Sequence, residues 1–352
     1  MDRAGQETPA GGVYVGVTFS LNTMAEAKLL VDRVKHYTNL LIVDSGPVSK
    51  NETVLNEICD YAVGAELNLI VYFGKFDYQS WQIPWLDTAK QRWGDKFLGI
   101  YFYDEPAGSL LDTHDEFFNS SPPKTYDEMA NLFVYAWQTM PELHTIKERP
   151  VPLPAFTSDY ALYWFDYLGG FDVVFAEFGW NHTRAQDIAL IRGAAKAQNK
   201  NWGAIVTWTY DAPPYLDSGE LLYDDMVLAY ENGAKYISVF NYPKINEYGL
   251  LQEEHFQALE RFWKKITTKK DYVVHEAQIA LALPRNYGWG MRHPNDTIWG
   301  LWGPDEKSAQ VWNTTQTLVT SYAPNLDIVY EDSRFSLEGK YSIIYYWNST
   351  IQ

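Results

Sequence analysis

One alternation limits what this chain can become more than any other feature. Short apolar, β-rich runs take turns with amphipathic stretches eight times before residue 268. The runs read as strands over 13–20, 39–44, 68–73, 97–103, 151–156, 171–176, 201–209 and 235–241. Apolar residues at three-to-four spacing predict helices over 23–37, 52–67, 86–93, 126–147, 161–168, 184–198, 220–231 and 253–267. The strands are continuous apolar runs, as strands covered on both faces are. Eight such units in about 260 residues is the count for a (β/α)8 TIM barrel in the α/β class. An open doubly wound sheet would carry a glycine-rich phosphate turn after its first strand, and Gly16-Val17-Thr18-Phe19 supplies none.

The pattern changes near residue 271. Strands are predicted over 277–283, 326–330 and 341–346, with a helix over 308–322. That is a small α/β module, flavodoxin-like and cut short. The expected organisation is a flexible segment 1–12, a catalytic barrel 13–270 and a C-terminal module 271–352, with an insertion over 108–124.

Charge and composition narrow the partners. Asp and Glu total 45 against 28 Lys and Arg, a formal net charge of -17. A field of that sign repels phosphate backbones and anionic lipid, which argues against nucleic acid. No run of 18 apolar residues occurs, and no lipid-binding segment is evident. Aromatic residues make up 16%, with 14 Trp and 26 Tyr, and their faces suit the flat apolar sides of sugar rings as well as a large core. A carbohydrate is therefore the expected partner. The oligomeric state has no sequence signal.

Cys59 is the only cysteine, so no internal disulfide forms. Six N-x-S/T sequons begin at Asn51, Asn119, Asn181, Asn295, Asn313 and Asn348. They favour an extracellular or cell-surface glycoprotein, of an archaeal type, whose signal and anchor segments lie outside this chain.

In a barrel of this kind reactive groups come from the C-terminal ends of the strands. Reading just past each predicted strand gives Asp44, Asp77, Asp104-Glu105, Asp159, Glu177, Asp211 and Glu247. Aromatics are interleaved with them. The sharpest local signal is Tyr101-Phe-Tyr-Asp-Glu-Pro106, where Pro106 ends the strand at the acid pair. Glu177, within Phe-Ala-Glu-Phe-Gly-Trp180, is unlike a generic surface acid. Crowded carboxyls separate into one protonated and one ionised group, which glycoside hydrolysis needs. Glu105 is thus the expected general acid/base and Glu177 the nucleophile or general base. Asp104 and Asp211 would tune charge or bind sugar hydroxyls, although Asp-Ala-Pro-Pro at Asp211 reads equally well as a turn. Tyr103, Trp164, Trp180, Trp208, Tyr210 and Tyr242 would contact the sugar. From the module, Trp289 and Arg292 would fold back over the mouth, or else form a domain-interface loop.

Other chemistries lack their residues. The seven histidines are scattered, and no H-E-x-x-H, G-x-S-x-G or P-loop motif occurs. No metal or cofactor is expected. Two alternatives remain: a catalytically silent carbohydrate-binding barrel, and a metal-dependent esterase or lyase using the acidic rim.

The Asp104-Glu105-Pro106 turn after the fourth strand resembles the acid/base position of the large retaining superfamily of barrel glycoside hydrolases, clan A, which carries Asn-Glu there. The barrel followed by a small α/β module resembles the β-galactosidases of family 42. The resemblance implies Glu105 as acid/base. It departs at two places: Asp104 replaces the Asn, and Thr207-Trp-Thr-Tyr-Asp211 lacks the nucleophile Glu after strand seven. Other barrel hydrolases place their pair on strands four and six, which is where Glu105 and Glu177 fall.

Overall fold

The computed structural model describes residues 9–74, 79–113, 122–180, 182–268 and 274–349. Strands β1 (Tyr14–Phe19), β2 (Leu40–Val43), β3 (Asn68–Tyr72), β4 (Phe97–Tyr101), β5 (Ala155–Asp159), β6 (Val173–Phe178), β7 (Asn201–Val206) and β8 (Tyr236–Val239) pair in parallel and in sequence order, and β8 closes on β1. The fold is a TIM barrel.

Successive side chains of each strand alternate between the barrel axis and the helical shell. Leu40, Ile42, Ile70, Tyr101, Phe156, Val173, Phe175, Ile205 and Tyr236 fill the axis. The outward residues, such as Val15, Leu41, Leu69, Val174 and Ala204, join the helices in a second, larger core. Helix starts follow local chemistry: Thr23 and Glu26 form a reciprocal capping box before Met24–Val34, and Thr125 caps Tyr126–Gln138.

Two predicted elements need correction. The helix expected over 126–147 is two helices, Tyr126–Gln138 and Pro141–Lys147, because Pro141 has no N–H to continue the first. The fifth strand lies at Ala155–Asp159 rather than 151–156, so Asp159 ends the strand instead of following it. Pro152 and Pro154 cannot serve a central strand.

After the barrel, β9 (Ile279–Leu283), β10 (Leu326–Tyr330) and β11 (Ile343–Tyr346) form a three-stranded parallel sheet in the order β10-β9-β11, with helix Glu306–Tyr322 between the first two strands. β10 lies against the barrel helix Arg184–Gln198. A Cβ on Gly193 would stand 2.4 Å from the Ile328 carbonyl oxygen, so the close approach requires glycine. Beside it Arg192 uses all its N–H donors: on Asp327 at 2.7 Å, Asn232 at 2.6 Å, and the carbonyls of His275, Pro324 and Leu326. One continuous apolar core joins the barrel helices to this sheet. Among the described residues, no helix is long and apolar enough to cross a membrane.

Candidate active site

At the C-terminal end of the barrel a cavity of about 150 Å³ is lined by Asp44, Tyr101, Asp104, Glu105, Ser158, Glu177, Trp180, Thr207, Trp208, Phe240 and Tyr242, among others. Glu177 stands two residues beyond Phe175 on the inward face of β6, directly above the filled axis. Glu105 reaches the same point from the turn after β4. Its backbone has a φ of 49°, unusual for a residue with a side chain, and its N–H donates to the Ser158 carbonyl at 3.0 Å.

These elements bring four carboxyl groups into one chamber. The Glu105 and Glu177 carboxyls line it as neighbours, and the Glu105 charge raises the Glu177 carboxyl. Ser158 Oγ lies 2.6 Å from Glu177 Oε1 and 3.0 Å from Asp104 Oδ1. The Tyr101 hydroxyl bonds Asp104 and lies 2.8 Å from Ser158 Oγ. Two hydroxyl protons thus serve a chain of acceptors. Burial and then repulsion by Asp104 and Asp159 push Glu105 up to about 8. Burial, Glu105 and Asp104 hold Glu177 well above the usual carboxylate range, and burial raises Asp104. Asp44 is pushed up to about 7 by burial and by Asp104. The Glu105–Glu177 pair keeps at least one proton at neutral pH, and repulsion separates its two ionisations.

Behind the chamber, Asp159 anchors the Glu105 turn. Its carboxylate accepts from the N–H groups of Ala107 at 2.7 Å and Gly108 at 2.9 Å, and from Tyr160 and Ala161. Asp159 thus caps the short helix Gly108–Thr113, which precedes it in the chain. Asp166, fully buried, lies near Asp159 and is held well above its ordinary range by burial and by that neighbour's charge.

One wall is aromatic. Trp180 and Trp208 meet edge to face at 5.9 Å, Trp208 and Tyr242 stack at 6.3 Å, and Trp208 Nε1 donates to the Tyr242 carbonyl at 2.6 Å. The Trp180 N–H bonds the Trp208 carbonyl at 2.8 Å. A Cβ on Gly179 would come within 2.4 Å of that same oxygen.

Of the residues singled out from the sequence, Asp44, Tyr101, Asp104, Glu105, Glu177, Trp180, Trp208 and Tyr242 line the cavity. The others do not. Trp164 is buried against Tyr330 and Phe335 of the C-terminal region. Trp289 is buried against Trp312, with its N–H on the Asp296 carbonyl. Tyr103 packs edge-on against Trp137 at 4.7 Å. Tyr210 is exposed and bonds Asp217, and Asp211 is exposed beside it. Arg292 does reach the barrel, but Asp112 at 2.8 Å and Asp296 at 2.7 Å engage it. The module loop is thus a contact with the barrel rim rather than a cover over the cavity. Asp77, Asn119 and Asn181 lie outside the described residues. Ser158, Thr207 and Phe240 were missed. The inward-facing alternation along β5 would have found Ser158 once its register was set by the prolines.

A larger depression, about 1520 Å³, lies at the opposite end around Tyr14, Asn39 and Trp263. It holds no converging acids and sits at the barrel face that serves stability. Among the described residues, no group of three or more His, Cys, Asp or Glu side chains is arranged to hold a metal ion.

No family model matches the chain, and no curated protein sequence matches it. Solved structures do. A β-galactosidase from the Antarctic haloarchaeon Halorubrum lacusprofundi superposes with a TM-score of 0.62 at 9% identity, over 95% of this chain and 68% of its own. An α-L-fucosidase isoenzyme 2 from Paenibacillus thiaminolyticus gives 0.56 at 11% identity, over 94% of this chain. This chain spans 59% of that fucosidase's length. These likenesses show the fold, a TIM barrel of the kind that glycoside hydrolases carry.

Proposed function

We propose that the protein is a glycoside hydrolase of the retaining type. The observation that carries the reading is that Glu105 and Glu177 line one aromatic-walled cavity at the C-terminal end of the barrel. Retaining pairs stand about 5–5.5 Å apart and inverting pairs about 6.5–9.5 Å, and two acids close enough to shift each other's ionisation favour the first case. Glu105, at the mouth with a raised pKa, gives its proton to the leaving oxygen. Glu177, deeper and backed by the Ser158 hydroxyl, attacks the anomeric carbon. Water then cleaves the glycosyl ester as Glu105 takes its proton back.

A binding-only reading rests on one observation. Thr207 follows β7 where the resembling superfamily has its nucleophile. The test is hydrolysis of aryl glycosides and oligosaccharides by the wild type and by Glu105→Gln and Glu177→Gln. Turnover lost in both variants supports the enzyme. Sugar binding with no turnover in the wild type supports the silent barrel, and turnover abolished by a chelator supports a metal-dependent reaction. We assign the protein to the cell exterior because the sequon residues Asn51, Asn295, Asn313 and Asn348 are all exposed. The sheet β10-β9-β11 supports reading 271–352 as a flavodoxin-like α/β module.

A further inference from the structure

Resting on that reading, we propose that the cavity takes a single terminal sugar ring bearing no acidic group, so that the enzyme trims neutral or amino sugars from chain ends and rejects uronic and sialic acids.

Size is the first argument. Pockets for drug-sized ligands run to about 300–1,000 Å³. This one holds about 150 Å³, five times the roughly 30 Å³ share of one water, which suits one pyranose ring and not two. Its floor is closed by the packed axis, where Ile42, Phe175 and Ile205 fill the barrel below the acids. Its side is closed by the bonded Trp180–Trp208–Tyr242 wall. Among the described residues, floor and wall leave a polymer no second exit through which to thread.

Charge is the second. None of the described residues lining the cavity is Arg, Lys or His. The nearby cations are committed elsewhere: Arg184 to Asp225 and to the carbonyls of Gly179 and His182, Arg292 to Asp112 and Asp296. A carboxylate on the sugar would enter a desolvated chamber among Asp44, Asp104, Glu105 and Glu177 with no counter-charge. Asp44 is the wall acid the reaction leaves unused. Its side chain has one long contact, 3.5 Å from Ser20, and it is free to accept from a sugar hydroxyl or ammonium.

The test is a matched panel of aryl hexosides, hexosaminides and hexuronides in both anomeric forms, with a chain-end-blocked oligosaccharide alongside. Hydrolysis of at least one neutral or amino glycoside, about 100-fold discrimination against the matching hexuronide, and no cutting of the blocked chain are expected. Comparable hexuronide turnover, or internal cleavage, overturns the proposal while leaving the glycosidase reading intact. If nothing in the panel turns over, the glycosidase reading fails, and quenching of Trp fluorescence by free hexose, hexosamine and hexuronate still decides the selectivity. Equal binding of hexuronate, or no binding by any of the three, overturns it. Asp44→Asn is expected to raise relative hexuronate affinity at least fivefold, and no change would count against the charge argument. Lys75 follows β3 in sequence but lies outside the described residues, so Lys75→Ala is the control. Hexuronate binding that disappears in this variant would place a counter-charge in the pocket and overturn the proposal.

Discussion

Asp327 and Glu177 are both carboxyl groups sunk into one molecule, with 0% and 5% of their surface exposed, yet they are handled in opposite ways. Asp327 meets Arg192 through one oxygen at 2.7 Å and the Tyr341 hydroxyl through the other at 2.9 Å. Glu177 meets a serine and another acid. A buried charge is costly unless paired. At the junction the cost is met by a guanidinium, and the pair joins barrel to sheet. In the chamber no described cation meets it, and the acids answer by holding protons. That is a poor way to stabilise a fold and a good way to store a proton donor beside a latent nucleophile.

The strongest way to break this contrast is to neutralise each chamber acid without changing its shape. Glu105→Gln and Glu177→Gln should each lower kcat/KM on an active aryl glycoside by about 1,000-fold or more, given what positioned acid and nucleophile groups contribute. Neither should lower the melting temperature at pH 7 to 8. A Glu177→Gln protein that is active, or that unfolds several degrees early, would mean Glu177 is structural in the way Asp327 is.

The junction should behave in reverse. Arg192→Met leaves Asp327 buried and unpaired and removes the donor from three carbonyls, at a cost of about 3–5 kcal/mol in urea unfolding. Adding Asp327→Leu should return much of that loss, because removing both charges avoids the orphan. At temperatures where Arg192→Met remains folded, its KM should match the wild type. A raised KM would couple the sheet to the site, against the division drawn here.

How much of this contrast was legible beforehand depends on what each residue can show without its neighbours. The strand–helix alternation needs only local periodicity, so the barrel could be read, and helix Arg184–Gln198 falls where it was expected. Glu105 could be found because Pro106 marks where its strand stops. Glu177 could be found because an acid among Phe, Gly and Trp is out of place on a surface. Ser158 was harder: in Thr157-Ser158-Asp159 a polar run looks like loop until Pro152 and Pro154 push the strand forward and make Ser158 an inward-facing rung. The tryptophans were the least legible. Trp164 and Trp180 each follow a largely apolar stretch of the chain, yet one ring is sealed under Tyr330 and the other is 37% exposed at the mouth. Which face of a helix or loop meets the C-terminal sheet is a long-range fact. Arg192, the junction's central residue, looked like any other helix cation for the same reason.

Proton storage also sets a pH dependence of known sign. Asp44 and Glu105 titrate near 7 and near 8 in the folded chain, against about 3.9 and about 4.3 unfolded. Between those limits the native state binds more protons than the unfolded one, so these groups make stability fall as pH rises from about 4 to about 8. Asp296 runs the other way. Burial would raise it, but Arg292 brings it below its ordinary value, so its contribution is present at neutral pH and lost in acid. Glu105→Gln should therefore melt about 2 °C or more above the wild type at pH 8, with the gap closing by pH 4. For activity, loss of the Glu105 proton should set the alkaline limb of kcat/KM near pH 8. An alkaline limb below pH 6 would assign the acid role to another group.

The smallest expected effect sharpens the contrast from the apolar side. Trp180 is exposed at the mouth, holds a backbone φ of 51°, and touches Trp208 only edge to face. More than a third of its surface stays exposed on folding, so Trp180→Ala should cost much less stability than a truncation in the core. A sugar ring stacked on it would lose about 0.5–1.5 kcal/mol, which is roughly a two- to tenfold rise in KM with kcat nearly unchanged. The matching truncation in the core, Trp299→Ala, removes a ring wedged 4.5 Å from Phe165 and should do the opposite, lowering stability by about 3–5 kcal/mol. If Trp180→Ala lowers kcat as strongly as KM rises, the ring is holding the reacting geometry. If neither changes, the aromatic wall serves only to close the cavity, and sugar recognition has to come from the hydroxyl-bonding acids alone.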